Sequence, residues 1–190
     1  MNRDPKRWDV PKPRLVLVTG LPGTGKSTVA EAIADRIGAP VLAHDWAMSA
    51  LRPYPEVQSA LDRMPMGHRA VGWSTLHALA RSQLRAGRSV ILDGVARADE
   101  LRTCREIAHD EDASMVVIAT QCSDPSVHRS RVEGRQRLIP NWHELDWVGV
   151  VPSRATWESP DDADLSLDAA SDWNDNLALL NNLFADGEGK

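Results

Sequence analysis

The run Gly20-Leu-Pro-Gly-Thr-Gly-Lys-Ser27 constrains the fold of this chain more than any other segment. It fits the pattern GxxxxGK[ST] without a mismatch. The preceding residues 14–19 are apolar and β-branched, which is typical of a buried strand. Residues 25–37 carry apolar side chains at helical spacing, closed by Gly38 and Pro40. A strand, a glycine-rich turn and a helix in this order predict a loop that wraps a phosphate group.

The residue types of this loop suit phosphate binding. Glycines let backbone N–H groups turn inward around an anion, and the start of the helix adds a partial positive charge. Lys26 is predicted to reach the β- and γ-phosphates of a nucleoside triphosphate, and the Ser27 hydroxyl to bind Mg²⁺. A glycine-rich turn that only caps a helix is the alternative. The predicted nucleotide-binding residues are Gly20, Leu21, Pro22, Gly23, Thr24, Gly25, Lys26, Ser27 and Thr28.

The rest of the chain alternates short apolar strands with amphipathic helices. We predict strands at residues 14–19, 40–43, 89–93, 114–120 and 164–168. We predict helices at residues 25–37, 46–51, 67–85, 99–109, 124–134 and 171–184, with residues 138–163 irregular. Strands that are apolar almost throughout indicate an α/β fold, in which helices cover both faces of a parallel sheet. One domain over residues 1–190 is predicted, with a flexible N-terminus at 1–12 and a frayed tail at 185–190.

Composition limits the partners of the chain. Its 190 residues carry a formal net charge of −5, which disfavours a general nucleic-acid coat but permits a local basic pocket. Cys104 and Cys122 fit no metal-binding spacing. No stretch reaches the roughly 18 apolar residues of a membrane span, and the polar N-terminus does not resemble a secretory signal. A cytoplasmic protein without a membrane partner is therefore predicted, and its oligomeric state is left open.

Asp93 ends the third predicted strand, directly after an apolar run. The carboxyl ends of parallel strands border the crevice in which ligands bind. Asp93 is therefore predicted to contact Mg²⁺, directly or through water. The alternative is that its carboxylate satisfies the turn at Gly94. Arg97 lies just beyond, at the same edge of the predicted sheet, and is a candidate to bind a substrate.

Residues 128–137 concentrate positive charge in a protein that is acidic overall. The four arginines of this run are Arg129, Arg131, Arg135 and Arg137. At helical spacing, His128, Arg131 and Arg135 share one face. Gly134 is a candidate hinge. A solvated basic helix face, paired with Glu133 and nearby acids, is the alternative.

Taken together, the phosphate loop, the acids after the second and third strands and the arginine run resemble the small P-loop kinases. This is the nucleoside-monophosphate-kinase-like branch, with gluconate kinase, adenylylsulfate kinase, polynucleotide 5′-kinase, chloramphenicol phosphotransferase and zeta toxin. The resemblance covers roughly residues 14–184. It implies a three-layer α/β/α sandwich with a five-stranded parallel sheet in the order 2-3-1-4-5 and a small helical lid. It also implies lid and adenine-side loops at roughly 128–160, and ATP and Mg²⁺ as cofactors.

The resemblance also implies roles for individual residues. An acid after the second strand of these kinases takes the proton of the acceptor hydroxyl, which implies that Asp45 is the catalytic base. Capping of a helix that begins at Trp46 is the alternative. The lid arginines of the family imply that Arg131 and Arg135 close over the γ-phosphate and stabilise the transition state. In a helix, Arg52 would lie two turns after Asp45 on the same face, which makes it a candidate to bind the acceptor.

These residues predict an ATP-dependent phosphotransferase in which Lys26, Asp45, Arg131 and Arg135 are catalytic. The acceptor hydroxyl belongs to a small molecule, a nucleoside or a nucleic-acid 5′ end, and the net charge favours a small molecule. An ATPase switch that needs no acceptor and a non-catalytic ATP-binding module are the alternatives. Trp142 or Trp157 is a candidate to stack on a base or an aromatic substrate, with packing as the alternative.

Overall fold

A computed structural model describes residues 12–185 of the chain. Five strands in this part of the chain form one parallel sheet in the order β2-β3-β1-β4-β5, which confirms the predicted α/β fold and strand order. The strands are β1 (Arg14–Gly20), β2 (Val41–Ala43), β3 (Val90–Asp93), β4 (Ser114–Gln121) and β5 (Leu165–Asp168). In the centre of the sheet, Val16 of β1 lies opposite Ile91 on one side and Val116 on the other.

The helices pack on both faces of this sheet. They are α1 (Lys26–Ile37), α2 (His44–Ser49), α3 (Pro55–Arg63), α4 (Gly67–Arg85), α5 (Ala98–Asp110), α6 (Pro125–Glu133), α7 (Trp147–Thr156) and α8 (Trp173–Ala185). Alternate residues of β1 point to opposite faces, as strand geometry requires. Leu15 and Leu17 join the core beneath α4 and α5, whereas Val16 and Val18 join the core beneath α1 and α8. All four side chains are fully buried.

Two helices lie where the sequence predicted none. Pro55 occupies the first turn of α3, where its missing N–H leaves no intrahelical bond unmade. Residues 138–163 were predicted to be irregular, but they contain α7. Asp146 caps α7 by accepting from the backbone N–H of Gly149 at 2.7 Å, and the helix continues through Pro152.

The predicted N-terminal segment lies outside the described residues except for Lys12, and the predicted tail lies outside them except for Ala185. Within residues 12–185, none of the helices is both long and apolar enough to cross a membrane.

Candidate active site

The phosphate loop connects β1 to α1 at the carboxyl edge of the sheet. Gly23 and Gly25 have φ angles of 85° and 88°, in the left-handed region that favours glycine. At Gly23 space is limiting as well, because a Cβ atom there would lie 2.6 Å from Val132 Cγ2. The glycines of the loop are therefore required by backbone conformation at two positions and by packing against α6 at one of them.

Side chains hold the loop in place on both flanks. Thr24 Oγ1 donates to the Leu21 carbonyl at 2.7 Å and lies 2.7 Å from Thr120 Oγ1, at the end of β4. On the other flank, His128 Nε2 lies 2.7 Å from the Pro22 carbonyl oxygen. Lys26 Nζ donates to the Leu21 carbonyl at 3.0 Å. The loop is thus fixed to two neighbouring elements, β4 and α6.

Ser27 and Asp93 meet directly at the start of α1. Ser27 Oγ donates to Asp93 Oδ2 at 2.8 Å. Burial raises the pKa of Asp93, although Lys26 and the hydrogen bond from Ser27 oppose the shift. The turn that follows does not use this carboxylate, because the Gly94 N–H donates to the Val18 carbonyl at 3.3 Å. The alternative in which Asp93 only satisfies that turn is therefore wrong.

The pair of Ser27 and Asp93 suits Mg²⁺ that arrives with a nucleotide. Both residues offer oxygen atoms, which are the ligands that this hard cation prefers. No group of three or more His, Cys, Asp or Glu side chains within residues 12–185 is placed to hold a metal ion. A cation here would therefore need further oxygen ligands from phosphate or water, which is how Mg²⁺ is usually bound in such sites.

Asp45 lies in the first turn of α2, and its carboxylate pairs with the guanidinium of Arg137. Burial alone would raise the pKa of Asp45, but the neighbouring His44 and the pairing with Arg137 outweigh it and hold the pKa well below its usual value. The residue before α2 is Ala43, and the side chain of Asp45 does not cap the helix. The capping alternative is therefore wrong. Asp45 instead faces the arginine-rich segment, residues 128–137, through Arg137.

Glu144 joins two arginines of that segment. Its Oε2 atom lies 3.2 Å from Arg135 Nε and 3.1 Å from Arg137 Nε, and its Oε1 atom accepts from the Arg137 backbone N–H at 2.8 Å. One terminal nitrogen of each guanidinium, Nη2 in both, is buried without a hydrogen-bond partner among residues 12–185. Both guanidinium groups therefore keep an unused donor inside the site.

Two carboxylates and two guanidinium groups act electrostatically on Lys26. Burial lowers the pKa of its ammonium group, whereas the carboxylates of Asp93 and Asp45 oppose that shift. Arg135 and Arg137 lower the pKa of Lys26 further. Three cations and two carboxylates therefore share one partly buried cluster between the phosphate loop and residues 135–144.

The predicted shared face of His128, Arg131 and Arg135 is wrong. Helix α6 ends at Glu133 with Gly134 as its C-cap, so Arg135 lies beyond the helix. His128 is buried against the phosphate loop, whereas the exposed Arg131 lines a cavity of about 220 Å³. The other residues that line this cavity are Thr24, Gly25, Thr28, Val29, Leu167, Ala169, Ser171, Trp173 and Asn176.

The two predicted acceptor-binding arginines lie in different places. Helix α2 ends at Ser49, so Arg52 does not share a helical face with Asp45. Arg52 instead lies over the ring of Trp142, 5.2 Å from its centroid, and Arg52 Nη2 lies 3.2 Å from His143 Nδ1. Arg97 is exposed and immediately precedes α5.

The two candidate stacking tryptophans also have protein contacts. Trp142 stacks on His143 with the ring centroids 5.4 Å apart. The Trp157 indole N–H donates to the Ala96 carbonyl at 3.0 Å. Both contacts agree with the packing alternative.

Three features of the site were not predicted. Arg137 was counted in the basic run without a role, and its partner Asp45 is 92 residues away. No role was predicted for Glu144, which contacts both Arg135 and Arg137. The cavity beside Trp173 lies next to the loop that follows β5, whereas the lid and adenine-side loops were predicted at roughly 128–160. For the pairing of Arg137 with Asp45, the only local signal in the sequence was the clustering of Arg135 and Arg137.

Residues 15–140 match the model of a family described as an AAA domain. A gluconokinase of Gluconobacter oxydans is 31% identical over 156 residues, which make up 80% of this chain and 79% of that protein. The chain belongs to this AAA domain family, in its small P-loop kinase-like branch.

Two further similarities are more restricted. An uncharacterized protein of Mycobacterium tuberculosis is 38% identical over 109 residues, which cover 54% of this chain and 22% of that protein. The matched region thus spans about a fifth of the length of that relative. The crystal structure of a sugar kinase from Janibacter sp. is 20% identical with a TM-score of 0.66, and the match covers 93% of this chain and 96% of that one. This second likeness shows a shared fold.

Proposed function

We propose that this chain transfers the γ-phosphate of ATP to a hydroxyl group of a small molecule. The observation that carries the proposal is the position of Asp45. Its carboxylate acts electrostatically on Lys26 of the phosphate loop, and it pairs with Arg137 on the opposite side. A carboxylate that faces a phosphate loop across such a cluster is placed to receive a hydroxyl group.

The nucleotide would be held by residues 20–28. Backbone N–H groups of the loop and the start of α1 bind phosphate oxygens, and Lys26 bridges the β- and γ-phosphates. Ser27 and Asp93 would hold Mg²⁺, which offsets the negative charge of the phosphates when it is bound. Asp93 stays close to Ser27 through their hydrogen bond of 2.8 Å, so both oxygen ligands are already together.

Asp45 would orient the acceptor hydroxyl and take its proton. The low pKa of Asp45 makes its carboxylate a weak base. A weak base suffices when the transition state is loose, because the hydroxyl oxygen becomes acidic only as its bond to phosphorus forms. The acceptor hydroxyl would therefore share the Asp45 carboxylate with Arg137 and lose its proton late.

Arg135 and Arg137 would bind the oxygens of the moving phosphoryl group. Each guanidinium has a buried Nη2 donor without a hydrogen-bond partner among residues 12–185, while Glu144 lies against the Nε atom of each. Donors that are held in advance stabilise charge in the transition state without further reorganisation. We assign this role to Arg135, as the sequence predicted, and to Arg137 in place of Arg131.

Arg131 would act on the nucleotide base or ribose. It lines the cavity of about 220 Å³ together with Thr28 and Trp173, next to the phosphate loop. A base that enters this cavity would lie between the Arg131 guanidinium and the segment after β5. The base would then lie on the α8 side of the loop, beside residues 169–176, rather than only among residues 128–160.

A small polyhydroxyl compound is the acceptor class that we favour. The relative that aligns over four fifths of this chain carries the name gluconokinase. The formal net charge of −5 also disfavours the strongly anionic backbone of a nucleic acid. Arg52, which reaches His143 and Trp142 near the Asp45 side of the site, remains our candidate for an acceptor contact.

The test is release of ADP by pure protein with ATP and Mg²⁺, alone and with pools of sugars and sugar acids, nucleosides, 5′-hydroxyl oligonucleotides or antibiotics. We expect one pool to stimulate release, and the sugar pool first. Asp45→Asn should keep ATP affinity and lose the stimulation. Fast release that no pool changes would favour an ATPase switch, and bound ATP without release in any pool would favour a binding module.

A further inference from the structure

His128 is a buried polar residue with both ring nitrogens engaged. It lies on α6 with only 2% of its surface exposed. Nε2 lies 2.7 Å from the Pro22 carbonyl oxygen, and Nδ1 lies 3.1 Å from Arg154 Nη1. A carbonyl oxygen can only accept and a guanidinium can only donate. Nε2 therefore carries the proton, Nδ1 accepts, and the imidazole is neutral.

Helix α7 fixes the ring from its far side. Trp147 packs edge-on against the His128 ring with centroids 5.2 Å apart, and Arg154 lies over the Trp147 ring, 5.1 Å from its centroid. Both Trp147 and Arg154 belong to α7. One imidazole thus joins the phosphate loop to a helix that follows the arginine-rich segment.

The bond to Pro22 determines the direction of one peptide group in the loop. In a trans peptide the C=O and the following N–H point in opposite directions, and the structure contains no cis peptide bond among residues 12–185. When the Pro22 carbonyl points to His128, the Gly23 N–H must point away from α6. Because Gly23 packs directly against Val132 and His128, a rotated peptide has little room at this position.

We propose that His128 is a positioning residue that orients the Gly23 N–H toward the nucleotide phosphates and links that orientation to α7 through Arg154. The inference rests on the proposed binding of ATP by this loop. The remaining charged group near the ring is Lys26. Burial, Arg154 and Lys26 lower the pKa of His128, which agrees with a neutral ring, although the Pro22 carbonyl opposes them.

Two substitutions of His128 test its hydrogen bonds to Pro22 and Arg154 separately, because each can keep only one of them. Gln can place its amide N–H where Nε2 lies but has no acceptor at Nδ1, whereas Asn can accept at Nδ1 but is too short to reach Pro22. By direct calorimetric binding of a non-hydrolysable ATP analogue, we expect His128→Asn to raise Kd about tenfold, the size of one lost hydrogen bond. His128→Gln should stay within about threefold of the wild type, because the Pro22 bond remains.

The link to α7 is tested by a double-mutant cycle. Arg154→Met should weaken analogue binding in the wild-type background by no more than about threefold, the same as His128→Gln, because both remove the bond at Nδ1. It should have no further effect in the His128→Asn background, because the route through the ring is already broken. Thermal unfolding of every variant controls for a purely structural role. The imidazole ¹⁵N spectrum of the wild-type protein should show the Nε2–H tautomer.

Equal Kd values for His128→Asn and His128→Gln, or additive effects of Arg154→Met in the two backgrounds, would overturn the inference. So would a wild-type protein that binds no analogue, or a ring protonated on Nδ1. The phosphotransfer proposal fails separately, when the wild-type protein binds ATP but no acceptor stimulates ADP release. In that case the two variants still differ in Kd if the inference is right.

Discussion

The phosphate loop and residues 135–144 approach Lys26 from opposite sides, and different forces hold them. The loop is fixed by backbone conformation and by neutral hydrogen bonds, such as that between Thr24 and Thr120. Residues 135–144 are fixed by charge, through Glu144 and the pairing of Arg137 with Asp45. Neutral bonds respond little to pH or salt, whereas ion pairs respond to both. The conformation of the phosphate loop should therefore change little with pH or salt, whereas that of residues 135–144 depends on the ionisation of Asp45 and Glu144.

The largest effect should come from the loop itself. Lys26→Ala removes the ammonium group that we propose bridges the phosphates, and we expect ADP release to fall by about 10²–10³-fold or more. Lys12→Ala is the matched control, because Lys12 is an exposed lysine paired with Asp112 at 3.0 Å. Turnover that survives in Lys26→Ala would refute the assignment of the loop.

Arg137→Met tests the charged side. It removes an unpartnered donor and the partner of Asp45, and we expect kcat for transfer to fall by about 10²-fold. Arg129→Met is the control, since exposed Arg129 pairs with Glu133 on its own helix, at 2.9 Å. An unchanged kcat in Arg137→Met would mean that Arg137 plays no part in transfer.

Arg137→Met should also change how kcat/KM declines at low pH. In the wild-type protein the pKa of Asp45 is well below its usual value, so the carboxylate stays ionised as the pH falls through 5. Without Arg137, burial remains and one hydrogen bond is lost, so the pKa of Asp45 rises. The decline of kcat/KM should therefore begin at a higher pH in Arg137→Met than in the wild type, and coincident profiles would contradict this account.

A pair of glycine substitutions tests the backbone side. Gly23 and Gly38 both have left-handed φ angles, 85° and 63°, so alanine at either position should cost about 1–2 kcal/mol of unfolding free energy. Only Gly23 is also crowded, because a Cβ at Gly38 meets no atom within 4 Å. In urea unfolding Gly23→Ala should lose more stability than Gly38→Ala, and only Gly23→Ala should weaken ATP binding. Equal losses would show that packing against α6 is unimportant.

The smallest expected effect is a difference in kinetics between the Arg131→Ala and Arg135→Ala variants. Arg131→Ala should raise KM for ATP about threefold to tenfold with little change in kcat, because the contact is equally strong in the ground state and the transition state. Arg135→Ala should lower kcat more than it raises KM. Steady-state kinetics with the stimulating acceptor pool measures both, and a reversed pattern would exchange the two roles.

The features that the sequence predicted are those that neighbouring residues determine. The phosphate loop, β3 with its terminal Asp93, and α4 at residues 67–85 follow from local composition and periodicity, and the strand order follows from the family resemblance. What was missed depends on distant partners or on proline in an unusual role. Arg137 meets Asp45 across 92 residues, and no local pattern encodes that pair. Helices α3 and α7 were not predicted: Pro55 lies in the first turn of α3, and Pro152 lies within α7.

The central position of β1 also sets an order of events at the ribosome. The strand at Arg14–Gly20 is flanked by strands that begin only at Val90 and Ser114. At translation rates of about 5–20 residues per second, the second flanking strand emerges roughly 5 to 20 seconds after the first residues of β1. Until β3 emerges, the apolar side chains of β1 have no strand beside which to pair, and the other side of β1 stays uncovered until β4 emerges. The strand that leads into the phosphate loop is thus synthesised before both of its neighbours, and its apolar side chains stay exposed in the nascent chain until those neighbours follow.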